Sequence, residues 1–295
     1  MKHAKLSRIE FLKACGLGAA TLPSFWADAA EVPADQKPIL RFAVASDLHY
    51  GQARTPFDEY ASNMVGWFNK EAEKGLNRVF LNGDLVQDSS AALLALRDKH
   101  LSRLKTPYYC IKGNHDYLDP DPNSAAASWQ KIWGYPSNHV ITDGDFTFIM
   151  ANTSAPHKSN VYLAADHDWL KEQLEQHKGA AGIFVFIHIA QRKAGVNGWP
   201  KHGVHKPEEM KKGEAVMKLL ESTPNVRAVF HGHNHNQTGH LTSGELRYFF
   251  DSHVGGSWGA KRGYRVVEVY ADHRIFSYQW NAQDNKISNS NTLSK

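Results

Sequence analysis

The chain has 295 residues, 42% hydrophobic and 22% charged, which is enough apolar content for one large core or two small ones. A formal charge of +4 with no lysine/arginine block excludes the electrostatic footprint of a non-specific nucleic-acid binder, so no stable nucleic-acid complex is expected. Only two cysteines occur, Cys15 and Cys110, which excludes a disulfide framework and any cysteine-based zinc site.

Residues 1–29 read as an export signal. Lys2, Lys5, Arg8 and Lys13 precede an uncharged run from Ala14 to Ala27, and Ala27-Asp28-Ala29 offers a small-residue cleavage site. The run is shorter than the ~20 apolar residues that a bilayer span requires. Just before it, "SRIEFLK" (Ser7 to Lys13) resembles the twin-arginine export motif S-R-R-x-F-L-K, with Ile9 in place of the second arginine. The resemblance implies an exported, periplasmic or extracellular protein that engages an export machinery. A polar linker, residues 30–38, leads into one domain over residues 39–281, and residues 282–295 read as a polar tail.

Apolar runs then alternate with helical stretches, which predicts an α/β architecture. Buried strands are expected in "ILRFAVAS" from Ile39, "NRVFLN" from Asn77, "PYYCIK" from Pro107, "GIFVFIH" from Gly182 and "NVRAVFH" from Asn225. "DFTFIMAN" from Asp145 and the pair "GYRVVEVY" and "RIFSYQW" read as strands of a second sheet. Helices are expected over Phe57 to Lys74, Ser89 to Leu104, Ala125 to Trp133, Ala165 to His177 and Pro207 to Ser222, the first opened by Pro56. The stretch Ala190 to Lys206 reads as a long loop, of a length that in compact domains usually carries function.

Each of the five main strands ends in a cluster of metal-ligating residue types. These are Asp47 and His49 in "SDLHY", Asp84 in "NGDLV", Asn114, His115 and Asp116 in "KGNHD", His188 in "FIHIA", and His233 and His235 in "HGHNH". Loops at strand C-termini are where α/β sheets build their sites. Singly, each cluster has a structural role open to it: a cap, an Asx-turn, a core histidine. Together they supply imidazole, carboxylate and amide oxygen in numbers that suit two ions such as manganese, iron or zinc.

The ordered set D-x-H, G-D, G-N-H-D, a lone H and G-H-x-H, from Asp47 to His235, resembles the calcineurin-like metallophosphoesterase superfamily. The resemblance implies a two-sheet β-sandwich flanked by helices. It implies that Asp47, His49 and His235 hold one metal, that Asn114, His188 and His233 hold a second, and that Asp84 bridges them. His231 has no ligand counterpart and reads as a strand or supporting residue. Two ions roughly 3.5–4 Å apart can lower the pKa of a shared water toward neutrality and clamp phosphoryl oxygens. The implied activity is hydrolysis of a small phosphate ester, a phosphodiester first, by metal-bound hydroxide. His115 would be the general acid, oriented by Asp116.

Purple acid phosphatases carry a tyrosine three residues after the G-D aspartate, where this chain has Gln87, which points away from that branch. The motifs look more like the bacterial phosphodiesterase branch, although His188 is followed by Ile189 and Ala190, where that branch often shows histidine and proline. Substrate contacts are expected from His253 in "DSHVGGSWG" and from His202, Lys201, Lys206 and Trp199 in the long loop. On the same fold the alternatives are a phosphomonoesterase, a diesterase of phospholipids or nucleic acids, and a non-catalytic scaffold. A scaffold would have lost ligands or His115, and this chain retains them all. A peptidase would carry H-E-x-x-H, which does not occur.

Overall fold

The strand Leu40–Ala45 (β1) is apolar at nearly every position because both of its faces are covered, the signature of a central strand. A computed structural model describes residues 36–117, 122–155, 158–192, 199–200, 202–251 and 253–293. The expected export signal with Cys15, most of the linker, and Lys201 lie outside these residues. β1 pairs in parallel with β2 (Arg78–Asn82), and β2 in parallel with β3 (Tyr108–Ile111). On its other edge β1 pairs antiparallel with β10 (Gly263–Val269), followed by β11 (Ile275–Asn281) and β12 (Lys286–Leu293), giving the order β12-β11-β10-β1-β2-β3. The second sheet runs β4-β5-β6-β7-β9-β8. Its strands are β4 (His139–Asp143), β5 (Phe146–Met150), β6 (Gly182–Phe186), β7 (Val226–His231), β8 (Thr238–Ser243) and β9 (Leu246–Asp251). β5, β6, β7 and β9 are mutually parallel, and β4 and β8 close the edges antiparallel.

Two expectations about the sheets are corrected. The strands of "GYRVVEVY" and "RIFSYQW" extend the first sheet rather than forming the second, while β6 and β7 join β5. Apolar runs identify buried strands but carry no information on which neighbour each will pair with. Residues 286–293, expected within a polar tail, form the edge strand β12. An edge strand has a free side and does not need apolar residues on both faces, so its composition resembles that of a tail.

Phenylalanines fill the space between the sheets. Phe42 meets Phe80 and Phe148 edge-to-face at centroid distances of 5.6 and 5.4 Å, and Phe186 stacks on Phe80 at 4.3 Å and on Phe230 at 5.0 Å. Helices α1 (Phe57–Ala72), α2 (Ser90–Lys99) and α3 (Pro122–Trp133) cover the outer face of the first sheet through residues such as Phe68, Leu96 and Trp129. Helices α4 (His167–Gln176) and α5 (Pro207–Glu221) cover the second through Leu170 and Leu220. Toward β8 the inter-sheet contact turns polar. Buried Arg265 on β10 donates to Asp251 on β9 at 2.5 Å and to Ser277 on β11 at 2.9 Å. The parallel strands of both sheets therefore deliver their C-terminal loops to one rim, where α/β folds place their sites.

Candidate metal centre

The loops that leave β1, β2, β3, β6 and β7 are tied to one another through their backbones. Asp47 N–H donates to Gly83 O at 2.9 Å, His49 N–H to Asp84 O at 3.0 Å, Asp88 N–H to His115 O at 3.0 Å and Gly232 N–H to His188 O at 3.0 Å. Tying the loops this closely imposes unusual backbone. Asp47, His49, Asp84 and His233 all have positive φ, between 48° and 65°. For residues other than glycine such conformations cost of order 1–3 kcal/mol each, and they persist only where the surroundings over-determine them. Gly83 and Gly113 meet where the loops approach most closely. A Cβ on Gly83 would come within 2.2 Å of His188 Nδ1, and one on Gly113 within 2.0 Å of the Asp84 amide.

This packing brings the expected ligands into two groups. Asp47, His49 and His235 offer ligand atoms within 4.8 Å of one another, and so do Asp84, His188 and His233; His49, Asp84 and His115 form a third set that overlaps both. In the first group His49 Nε2 lies 3.1 Å from His235 Nε2, which lies 3.1 Å from Asp47 Oδ1. His49 Nδ1 bonds Gln87 Oε1 at 2.8 Å, and His235 Nδ1 donates to Trp258 O at 3.1 Å. In the second group the supporting atoms are fixed and the ligating atoms are not. His188 Nδ1 donates to Asn82 O at 2.6 Å, and Asn114 Nδ2 to Ser159 O at 2.9 Å. His188 Nε2, His233 Nε2 and Asn114 Oδ1 are buried without a hydrogen-bond partner, although His188 Nε2 is 3.2 Å from Asp84 Oδ2. Buried ligand atoms gathered with two carboxylates are of the kind that hold metal cations, and a donor set of oxygen and imidazole suits manganese, iron or zinc.

The charges point the same way. Burial raises Asp84, but His188 and its neighbours overcome this and hold the carboxyl well below its ordinary range. Burial opposes the charged form of His188, yet Asp84 and Asp47 push it up to about 9. The buried carboxylates thus demand positive charge, which in the bare protein only an imidazolium can provide. His233 is driven down to about 3 by burial, reinforced by the charge on His188, which leaves its ring a neutral donor of a lone pair.

The sequence-expected residues not among the ligands fall in several places. His115 N–H donates to Asp84 Oδ1 at 2.7 Å, which sets its partly exposed ring at the junction of the two groups. Its carboxylate partner is Asp88, with Oδ1 2.8 Å from His115 Nδ1, and not the expected Asp116. Asp116 is fully buried and accepts from the amides of Gly113 at 2.8 Å and Val86 at 3.0 Å, so it braces the loop instead. Burial, with Asp84 nearby, raises its pKa to about 7. His253 does not face the site. Its ring nitrogens are taken by the carbonyls of Gly255 and Ala260, and its ring lies parallel to His235 at 5.0 Å. His202 stands at the rim, its ring 6.2 Å from that of His233, in a cavity of about 260 Å³ shared with His235, Asn236 and Trp258. Trp199 is buried against Tyr248 and Phe250, and Lys206 is the exposed residue before α5, so neither lines this cavity. His231 donates to Ile187 O at 2.7 Å and lies deep in the second sheet.

Reading the sequence missed Asp88, Trp258 and Tyr162, whose ring is 4.6 Å from that of His233. Asp88 precedes Ser89, which caps α2, so in sequence it is indistinguishable from an ordinary helix start. Trp258 carried one signal, an aromatic set among glycines.

Comparison with known proteins agrees with this geometry. The family model for calcineurin-like phosphoesterases matches residues 40–237. A probable cyclic nucleotide phosphodiesterase of Pseudoalteromonas sp. (strain SM9913) is 26% identical over 171 residues, which cover 56% of this chain and 58% of that protein, so the match spans less than two thirds of the relative. Among solved structures, a dimetal phosphatase from Danio rerio aligns with a TM-score of 0.65 at 14% identity over 88% of this chain and 99% of that one. A purple acid phosphatase from yellow lupin (Lupinus luteus) aligns at 0.63 and 14% over 88% of this chain and 54% of that one. At these identities the structural likeness is one of fold.

Proposed function

Because this chain belongs to the calcineurin-like phosphoesterase family, we propose that it is a two-metal phosphodiesterase acting on a small phosphate ester. The observation that carries the reading is the grouping of His188 and His233 with Asp84, which also adjoins His49 in the other group, together with the buried, unpartnered Oδ1 of Asn114. Asp47, His49 and His235 would hold one ion and Asn114, His188 and His233 the other, with Asp84 between them. When bound, such ions supply an activated water and positive charge against the phosphoryl oxygens.

The protein's own residues do the rest. Asp88 Oδ1, 2.8 Å from His115 Nδ1, orients the ring so that Nε2 is the atom that can give a proton to the departing oxygen. Gln87 holds this pair in register. Its amide nitrogen donates to Asp88 Oδ2 at 3.0 Å while its oxygen orients the ligand His49. The diester preference draws its support from the relative's description as a probable cyclic nucleotide phosphodiesterase.

Elemental analysis alongside hydrolysis of bis(p-nitrophenyl) phosphate and p-nitrophenyl phosphate tests the reading. About two metals per chain and a higher kcat/KM on the diester are expected. A preference for the monoester would make the protein a phosphatase, and fewer than about one metal per chain with neither ester cleaved would leave a scaffold. Export belongs to the same proposal, on the strength of residues 1–29. A mature protein beginning after Ala29 in the extracytoplasmic fraction is the expected outcome, and full-length protein in the cytoplasm would refute it.

A further inference from the structure

The turn after β9 is built to lower one aromatic ring onto the site. Gly255 passes so close to β1's exit loop that a Cβ would meet Leu48 O at 2.0 Å, and Gly259, at φ 121°, would bring one within 2.5 Å of His235 Cβ. Between them Trp258 lies parallel to His235, with centroids 4.9 Å apart and planes 4° apart, and His235 is in turn nearly parallel to His253. Trp258 therefore belongs to a series of parallel rings. Despite that cover it remains 48% exposed, the highest value among the exposed large aromatic side chains of the described residues. An indole covered on one face cannot be so exposed unless its other face is open to solvent.

The same ring separates two cavities. One, of about 260 Å³, is lined by His202, His233 and His235. The other, of about 300 Å³, is lined by Arg54, Tyr60 and Arg262, with the Arg262 guanidinium stacked over Tyr60 at 4.2 Å. An ester with its phosphorus at the ligand end can lay one substituent along Trp258, which lines both cavities. Flat rings stack on an open indole irrespective of their edge chemistry, whereas alkyl groups gain little there. We propose that Trp258 is the specificity platform of this site, and that it selects phosphate diesters in which one ester substituent carries a planar aromatic ring, as a nucleoside does. The inference rests on the phosphodiesterase reading for its reaction but not for its binding.

Two esters with the same leaving group isolate the platform: thymidine 5′-(p-nitrophenyl phosphate) and methyl p-nitrophenyl phosphate, each releasing p-nitrophenolate. The wild type should favour the thymidine ester. Trp258→Ala should lower kcat/KM on that ester about 10- to 100-fold and on the methyl ester no more than about threefold, the difference matching base–aromatic stacking, and Trp258→Phe should restore most of the loss. An equal fall on both esters would overturn the proposal and reduce Trp258 to a support for His235. A second readout needs no turnover: thymidine 5′-monophosphate should quench the tryptophan fluorescence of the wild type and not that of Trp258→Ala. If the metal-loaded wild type cleaves neither ester but the quench is present and is lost in the variant, the phosphodiesterase reading fails and the platform stands. Absence of the quench together with no preference between the esters would remove the platform.

Discussion

The two halves of the candidate metal centre are built from similar residues and held in opposite ways. In the Asp47, His49 and His235 half the ligand atoms already touch one another, and their outer nitrogens depend on a side chain, Gln87, and on the carbonyl of the Trp258 turn. In the Asn114, His188 and His233 half the ligand atoms touch no hydrogen-bond partner, and His188 and Asn114 are fixed from behind by main-chain carbonyls. A buried polar atom without a partner costs about 1–3 kcal/mol, a cost carried here by His233 Nε2 and Asn114 Oδ1, whereas His188 Nε2 faces Asp84 Oδ2 at 3.2 Å. A cation entering there recovers that cost. In the first half the 3.1 Å between His49 Nε2 and His235 Nε2 already matches the spacing of two nitrogens on one ion at about 2.0–2.1 Å. The two halves therefore offer a cation different gains, relief of buried unpaired atoms in one and a ready spacing in the other.

The largest effect expected is from Asp84→Ala, because Asp84 serves both halves. On the proposed two-metal reading its loss should remove both ions and lower diester hydrolysis by at least ~10³-fold, several kcal/mol of charge stabilisation at 1.36 kcal/mol per decade. Metal analysis on folded protein, checked by circular dichroism, would decide whether one half can fill alone. Retention of one ion per chain would show the halves to be independent. Next is Asp88→Asn, which keeps the shape but leaves His115 without its carboxylate. A fall of ~10- to 100-fold in kcat is expected, a fraction of the 10²–10⁴ that a general acid contributes, with metal content unchanged. Asp116→Asn should do the reverse. It weakens one of two buried backbone hydrogen bonds, costs about 1–3 kcal/mol of stability seen as a lower Tm, and spares kcat in the protein that remains folded. Equal losses of kcat from the two variants would put Asp116 back in the role that the sequence suggested.

That role shows where the sequence could be read and where it could not. The candidate ligands were legible as a cluster because each follows an apolar strand, and strand ends converge in α/β folds. Their grouping into halves was available only through family resemblance, since nothing in the chain order puts His49 beside His235, 186 residues away. The partner of His115 was misread because adjacency in sequence is a poor guide on a loop. Consecutive side chains there diverge, and Asp116 turns inward to the amides of Gly113 and Val86 while Asp88 arrives from another loop through a main-chain tie to His115. Sheet membership failed for a related reason: β10 and β6 are both buried at every position, and only the connections decide which sheet each one joins.

Smaller effects test how each half is supported. Gln87→Ala removes the bond to His49 and should weaken one metal site alone by ~10- to 100-fold, as loss of a ligand's outer partner typically does. Titration with a competing chelator should show one tight and one weakened ion, and weakening of both would contradict the separate support of the halves. His231→Phe should do least. Its ring lies within the second sheet, burial holds its pKa near about 4 so that it stays neutral, and its Nε2 has no partner. Phenylalanine would sacrifice the bond to Ile187 O and remove the orphan nitrogen, two changes of opposite sign that should leave stability within ~1 kcal/mol. Metal content should be unchanged, because the ring packs against Tyr248 and Phe250 rather than against any ligand. A drop of one ion per chain in His231→Phe would mean that the second half extends a residue further back along β7 than its geometry indicates.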